Sequence, residues 1–209
     1  MLSRILLYAF SIIAIQALAA YANISIKIND PYFEPSGSNK TRIMHIENQS
    51  DSYSAVNIGV KKRSHNIDGE ETKTDSDNFN VFPNQVLLKP RENRVITLNW
   101  QGPEHLDVEE AYRVMTEEVQ VQGLHELNQS LDNNNGGEPG SQTKLQLSVR
   151  FVFVNSIYVK PRGAKAKINL ISASKQYSEE KGDQLLLTLE NQGKAHQLIK
   201  SISLEIEGL

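Results

Sequence analysis

The chain contains no cysteine, which excludes a disulfide-stapled scaffold, thiol catalysis and cysteine-held zinc or iron–sulfur centres in any compartment. Nor is there an excess of charge of one sign. Its 22 basic and 25 acidic side chains leave a formal net charge of −3, where a nucleic-acid binder would normally carry a basic stripe. No G-x-G-x-x-G, P-loop or G-x-S-x-G spacing occurs, so nothing marks a phosphate cradle or a nucleophile elbow. His45, His65, His105, His125 and His196 have no i, i+4 pairing and no H-E-x-x-H context, which leaves no sequence-local metal site. These absences disfavour an enzyme, and no cofactor, metal, nucleic acid or small-molecule substrate is expected. A mean hydropathy of −0.43 excludes a polytopic membrane protein, while 39% hydrophobic residues over 209 positions suffice for one large or two small domains.

Long apolar runs are confined to the start. Residues 1–22 read MLSRILLYAFSIIAIQALAAYA: a single Arg4, an apolar stretch from Ile5 to Ile15, then small residues ending in Ala20-Tyr21-Ala22. This is the pattern of a secretory signal peptide cut before Asn23. An uncleaved anchor is the other reading of that run, and the small-residue motif decides for cleavage. The mature chain is therefore expected to be exported.

Beyond the leader, apolar residues alternate with polar ones, as in Val56, Ile58 and Val60 or Ile96, Leu98 and Trp100, and no segment sustains a helical stripe. Turn signals punctuate the pattern at Asp30-Pro31, Pro35-Ser36-Gly37, Asp68-Gly69, Pro90-Arg91-Glu92-Asn93 and Gln101-Gly102-Pro103. The spacing predicts strands near 24–28, 42–47, 53–62, 85–89, 94–100, 111–121 and 144–160. The fold class is thus all-β, an immunoglobulin-like β-sandwich over residues 23–161. Residues 122–143, rich in Asn, Gly and Gln, are expected to be a mobile loop inside this domain. A boundary falls at Pro161-Arg162-Gly163, because a proline cannot donate to a ladder. Residues 163–209 offer strands only near 166–171, 184–190 and 198–206, so the second β domain is expected to be incomplete or truncated. The run Lys61-Lys62-Arg63 reads as a solvated corner ahead of a site for an acidic partner.

The segment 144–160 is longer than most strands. Leu145, Leu147, Val149, Phe151 and Phe153 share one face of it. Such a strand, beside a long loop, either packs those residues into its own core or offers them as a strand to another chain.

Three segments carry a family resemblance: NVFPNQVLLKPRENRVITLNW at 80–100, EEAYRVMTEEV at 109–119 and KLQLSVRFVFVNSIYVKP at 144–161. In order and spacing they resemble the periplasmic chaperones of bacterial chaperone/usher fimbrial assembly, the PapD-like superfamily, and within it the colonisation-factor branch. The resemblance covers residues 23–161 well and 163–209 loosely. It implies two immunoglobulin-like domains that cap pilin subunits by donor-strand complementation in the periplasm and pass them to the outer-membrane usher. The lent side chains would be Leu145, Leu147, Val149 and Phe151. The family anchors the subunit's terminal carboxylate with an arginine and a lysine. Here the lysine position falls on Ser156 and no arginine occupies the first-strand position near Asp30, so nearby Lys27, Arg150 or Lys160 would have to serve. The arginine that bridges the family's domains would be replaced by Lys160 pairing with Glu109 or Glu110, a weaker bidentate partner. Arg113 reads equally as a solvated or a structural residue. The competing functional reading is a secreted immunoglobulin-like surface or periplasmic binding module.

Overall fold

The structure is a computed structural model that describes residues 24–121, 123–134 and 150–203. The expected leader and the strand positions 144–149, including Leu145, Leu147 and Val149, lie outside the described residues. In chain order the elements are β1 (Ile24–Ile28), β2 (Tyr32–Phe33), β3 (Thr41–Asn48), β4 (Ser54–His65), β5 (Glu71–Asp75), β6 (Phe79–Phe82), β7 (Gln85–Leu88), β8 (Asn93–Trp100), β9 (Glu110–Glu118), α1 (Leu124–Asn134), β10 (Val152–Val159), β11 (Ile168–Ser178) and β12 (Gly182–Asn191). The all-β expectation holds.

Alternation decides which face of each strand turns inward. One sheet runs β1-β3-β8-β6, and a second runs β2-β10-β9-β4-β5 with β7 added on β4. Met44 and Ile46 of β3 and Ile96, Leu98 and Trp100 of β8 meet Val56, Ile58 and Val60 of β4, Tyr112 and Val114 of β9, and Ile157 and Val159 of β10 in one buried cluster. Phe33, Phe79, Trp100 and Tyr112 close one end with edge-to-face contacts at 5.1–5.7 Å between ring centres. Such pairs each add about 0.5–1.5 kcal/mol beyond area burial. Gly102 follows because a Cβ there would lie 2.3 Å from the Trp100 ring.

Two parts of the sequence reading change. The described portion of the expected mobile loop is a helix, α1. Its Asn128 accepts from the Tyr53 backbone N–H at 2.7 Å and donates to the Tyr53 carbonyl at 3.2 Å, so a distant strand end holds what local composition does not. After Pro161 the described residues form one two-stranded sheet, β11–β12. The strand expected at 198–206 is not seen over 198–203, which are irregular, and 204–206 lie outside the described residues.

Candidate functional site

β10 pairs antiparallel with β9 through eight residue pairs, from Val152↔Glu117 to Val159↔Glu110. On its other side β2 covers only Tyr158 and Val159, in parallel. From Val152 to Ile157 that edge is therefore open among the described residues. Odd-numbered residues turn inward: Ile157 and Val159 are fully buried and Phe153 packs against the core. Outward, Val152 and Val154 are 48% and 44% exposed. Pairing continues upstream into Phe151, whose carbonyl accepts from the Glu118 N–H at 3.1 Å, and its ring lies 6.4 Å from that of Phe153. Phe151 is the one expected lent side chain within the described residues.

The three expected carboxylate anchors do not converge. Lys27 is exposed on β1, in the other sheet. Arg150 precedes β10 and reaches Glu117 at 3.8 Å. Lys160 follows β10 at its far end, its Nζ 5.2 Å from the Tyr32 ring centre. Ten residues of extended chain separate Arg150 from Lys160 by roughly 33 Å, so no single carboxylate could touch both. The expected pairing of Lys160 with Glu109 or Glu110 is replaced as well. Glu109, 6% exposed at its side chain, accepts a hydrogen bond from His196 Nδ1. Its backbone N–H donates to the Lys194 carbonyl at 2.8 Å. Glu110 takes Lys62 at 2.5 Å and the Tyr112 hydroxyl at 2.6 Å. Burial first, and that carboxylate second, push the phenol well above its ordinary range. The contact between the two units is thus made by Glu109 and His196, with the His196 ring stacked 4.2 Å from that of Tyr158.

A cationic cluster forms instead on the outer face of the second sheet. The register sets Lys61 beside Arg113, Arg113 beside Ser156, and Arg63 and His65 beside Lys73 and Glu71, so all these side chains share one face. Arg113 Nε donates to Glu71 at 3.1 and 3.2 Å, its Nη2 pairs with the same carboxylate, and its Nη1 donates to Ser156 Oγ. Arg63, His65 and Lys73 stand 3.2, 3.5 and 3.6 Å from Glu71. The hydrogen bonds from Arg113 above all, with the surrounding cations, hold the Glu71 carboxyl down at about 2. The run Lys61-Lys62-Arg63, read as a solvated corner, thus has an acid for each member: Asp75, Glu110 and Glu71. Arg63 and His65 continue into a depression between the sandwich and the β11–β12 unit, lined also by Glu109, Tyr158, Lys194 and His196. Sequence reasoning missed this cluster. The basic run and Arg113 gave its only signal, since Arg113 and Glu71 are 42 positions apart.

Among the described residues no group of three His, Asp or Glu is placed to hold a metal ion, and no helix is long and apolar enough to cross a membrane. No family model matches the chain, and no curated protein matches it. Solved structures do. One chain of a chaperone–tip adhesin complex of CFA/I fimbriae biogenesis superposes with a TM-score of 0.54 at 17% identity, over 83% of this chain and 68% of the other. The class 5 fimbriae chaperone CfaA gives 0.52 at 20% identity, over 81% and 68%. The CsuC–CsuE chaperone–tip subunit pre-assembly complex of archaic Csu pili from Acinetobacter baumannii gives 0.53 at 17%, over 83% and 73%. The two packed sheets and the smaller β unit beyond Pro161 therefore share the fold of the chaperone–usher fimbrial chaperones, the colonisation-factor branch included.

Proposed function

We propose that the chain is a periplasmic chaperone that lends a strand to fimbrial (pilin) subunits, keeps them soluble and delivers them to the outer-membrane usher. The open edge of β10 is the observation that carries this reading. A strand whose N–H and C=O groups are unpaired along one side is a template for another chain, and strand addition takes its affinity from that ladder and its specificity from alternate side chains. Upstream of the open edge run Leu145, Leu147, Val149 and Phe151, each able to contribute about 1.5–3 kcal/mol when buried in a partner's groove. Their odd numbering is that of the inward residues Ile157 and Val159. In place of the dispersed Lys27, Arg150 and Lys160, Arg113 and Arg63 would receive the subunit's terminal carboxylate, Arg113 standing beside Ser156 where the family's lysine position falls. The leader at residues 1–22 would direct export to the periplasm. The role asks for no catalysis and no cofactor.

Affinity purification of the tagged chain from the periplasm of a fimbriated host, with mass spectrometry of what accompanies it, tests the proposal against Val149→Asp. Trp100 is the sole tryptophan and is buried, so its emission reports whether the sandwich remains folded. A pilin-like subunit held by the wild type and lost from a folded variant supports strand lending, since a charge cannot enter an apolar groove cheaply. Absence of a subunit from both forms, with a red-shifted Trp100 in the variant, makes Val149 a core residue and favours the immunoglobulin-like binding module.

A further inference from the structure

Around Glu71 the charges do not balance. Arg63, Lys73 and Arg113, with His65 beside them, face one carboxylate. The neighbouring Lys61 is already matched by Asp75 at 3.0 Å. Arg63 is also short of acceptors. Its Nη2 meets the His65 ring at 3.2 Å. Its Nε, 3.2 Å from Glu71, is buried yet makes no hydrogen bond. A guanidinium is a planar fork that matches a carboxylate bidentately, and here one fork is filled and its neighbour is not. The carboxylate that fills it sits on an edge strand. β5 is the outermost strand of its sheet, hydrogen-bonded only to β4 among the described residues, and of its five residues none is buried. Edge strands with few buried contacts occupy the low end of local stability.

We propose that Glu71 is an exchangeable internal ligand: in the free chain it fills the Arg113 fork and stands against Arg63 as an ion-pair partner, and it releases both to the free carboxylate of a bound polypeptide. That the bound polypeptide is a pilin subunit rests on the chaperone reading; the exchange itself rests on the cluster. The fit of a carboxylate is already demonstrated, because one is there. The cost of the arrangement is a tethered competitor at high effective concentration, so an incoming carboxylate binds only in the fraction of molecules whose β5 has let go.

Titration calorimetry of the full chain with three N-acetylated heptapeptides tests this: one ending in a free carboxylate, its C-terminal amide, and an amide with one internal glutamate. The Nε–H signals of Arg63 and Arg113 in NMR locate the contact. If the free cluster is populated roughly one-tenth of the time, Glu71→Gln tightens the free-carboxylate peptide about tenfold, and Arg113→Gln removes binding. Tight binding of the glutamate amide as well would assign the site to carboxylates in general, the terminal one included. Glu71→Asp, which keeps the charge but shortens its reach, serves if Glu71→Gln disturbs Trp100 emission, and it too tightens binding. Unchanged or weaker affinity in both Glu71 variants, or equal binding of the amide lacking glutamate, overturns the exchange. A subunit still captured by the wild type in the periplasm would then leave strand lending standing without it.

Discussion

The sandwich and the β11–β12 unit are both built of alternating strands, yet among the described residues only one has an interior. In the sandwich, Met44, Ile46, Ile96 and Leu98 from one sheet are fully buried against Val114, Ile157 and Val159 from the other. In the hairpin, Leu170, Ile171, Leu185 and Leu186 are all exposed. Alternation supplies an apolar face, and a second sheet must cover it before the face becomes a core. A lone two-stranded sheet is marginal in water. What fixes this one is local and polar. The Lys194 and Gln192 N–H groups donate to Lys165 and Lys167 carbonyls, and Glu109 grips Lys194 and His196. The chain passes so close at Gly193 that a Cβ would lie 2.4 Å from the Lys165 oxygen.

The sharpest break of this comparison is in the core. Leu98→Ala is expected to cost about 2–5 kcal/mol, as cavities in packed interiors do, read as a lowered urea midpoint of Trp100 emission. Next comes the joint between the units. Glu109→Ala removes the side-chain acceptor of the His196 ring and backbone N–H while keeping the backbone bond to Lys194, a loss of about 1–3 kcal/mol, and is expected to speed amide exchange in β11 and β12 while β8 stays protected. Acid then separates the sandwich's edge from its centre. Glu71 carries a folded value of about 2 against an ordinary 4.5. A lowered value means its contribution is complete above 4.5 and fades as pH falls toward 2, so protection of β5 should drop across that window ahead of β8. The smallest effect is expected in the hairpin. Leu186→Ser, at a position 51% exposed, should stay within about 0.5 kcal/mol, and a loss comparable to that of Leu98→Ala would show that the hairpin has a covered face after all.

Much of the sandwich was legible because its strands obey one rule. β1, β3, β4, β7 and β8 lie within a few residues of the spans that alternation predicts, since each has one face on the core. β2 is two residues long and β5 reads Glu-Thr-Lys-Thr-Asp; neither offers an apolar rhythm, and both owe their conformation to the strand beside them. The helix α1 was hidden for a related reason, its Asn128 being tied to Tyr53 75 positions away. The open edge follows from the order of strands, but the suspicion of a lent strand came from the length and rhythm of residues 144–160. The cationic cluster was out of reach of any local pattern. It needs β4, β5, β9 and β10 side by side, and only then do Arg63, Glu71, Arg113 and Ser156 become neighbours.

The eight-pair register of β10 on β9 makes this strand a ruler with a fixed zero. Because Ile157 and Val159 are locked inward, every residue upstream along an unbroken strand has its side assigned in advance, with teeth about 6.6–6.8 Å apart. A partner able to read it must have sockets at that pitch and in that phase. Inserting one uncharged residue between Val149 and Arg150 would leave the net charge and the register of β10 on β9 unchanged, yet along an unbroken strand it would turn Leu145, Leu147 and Val149 over to the opposite side and present Gln146 and Ser148 in their place. The message lies in the counting frame as much as in the letters.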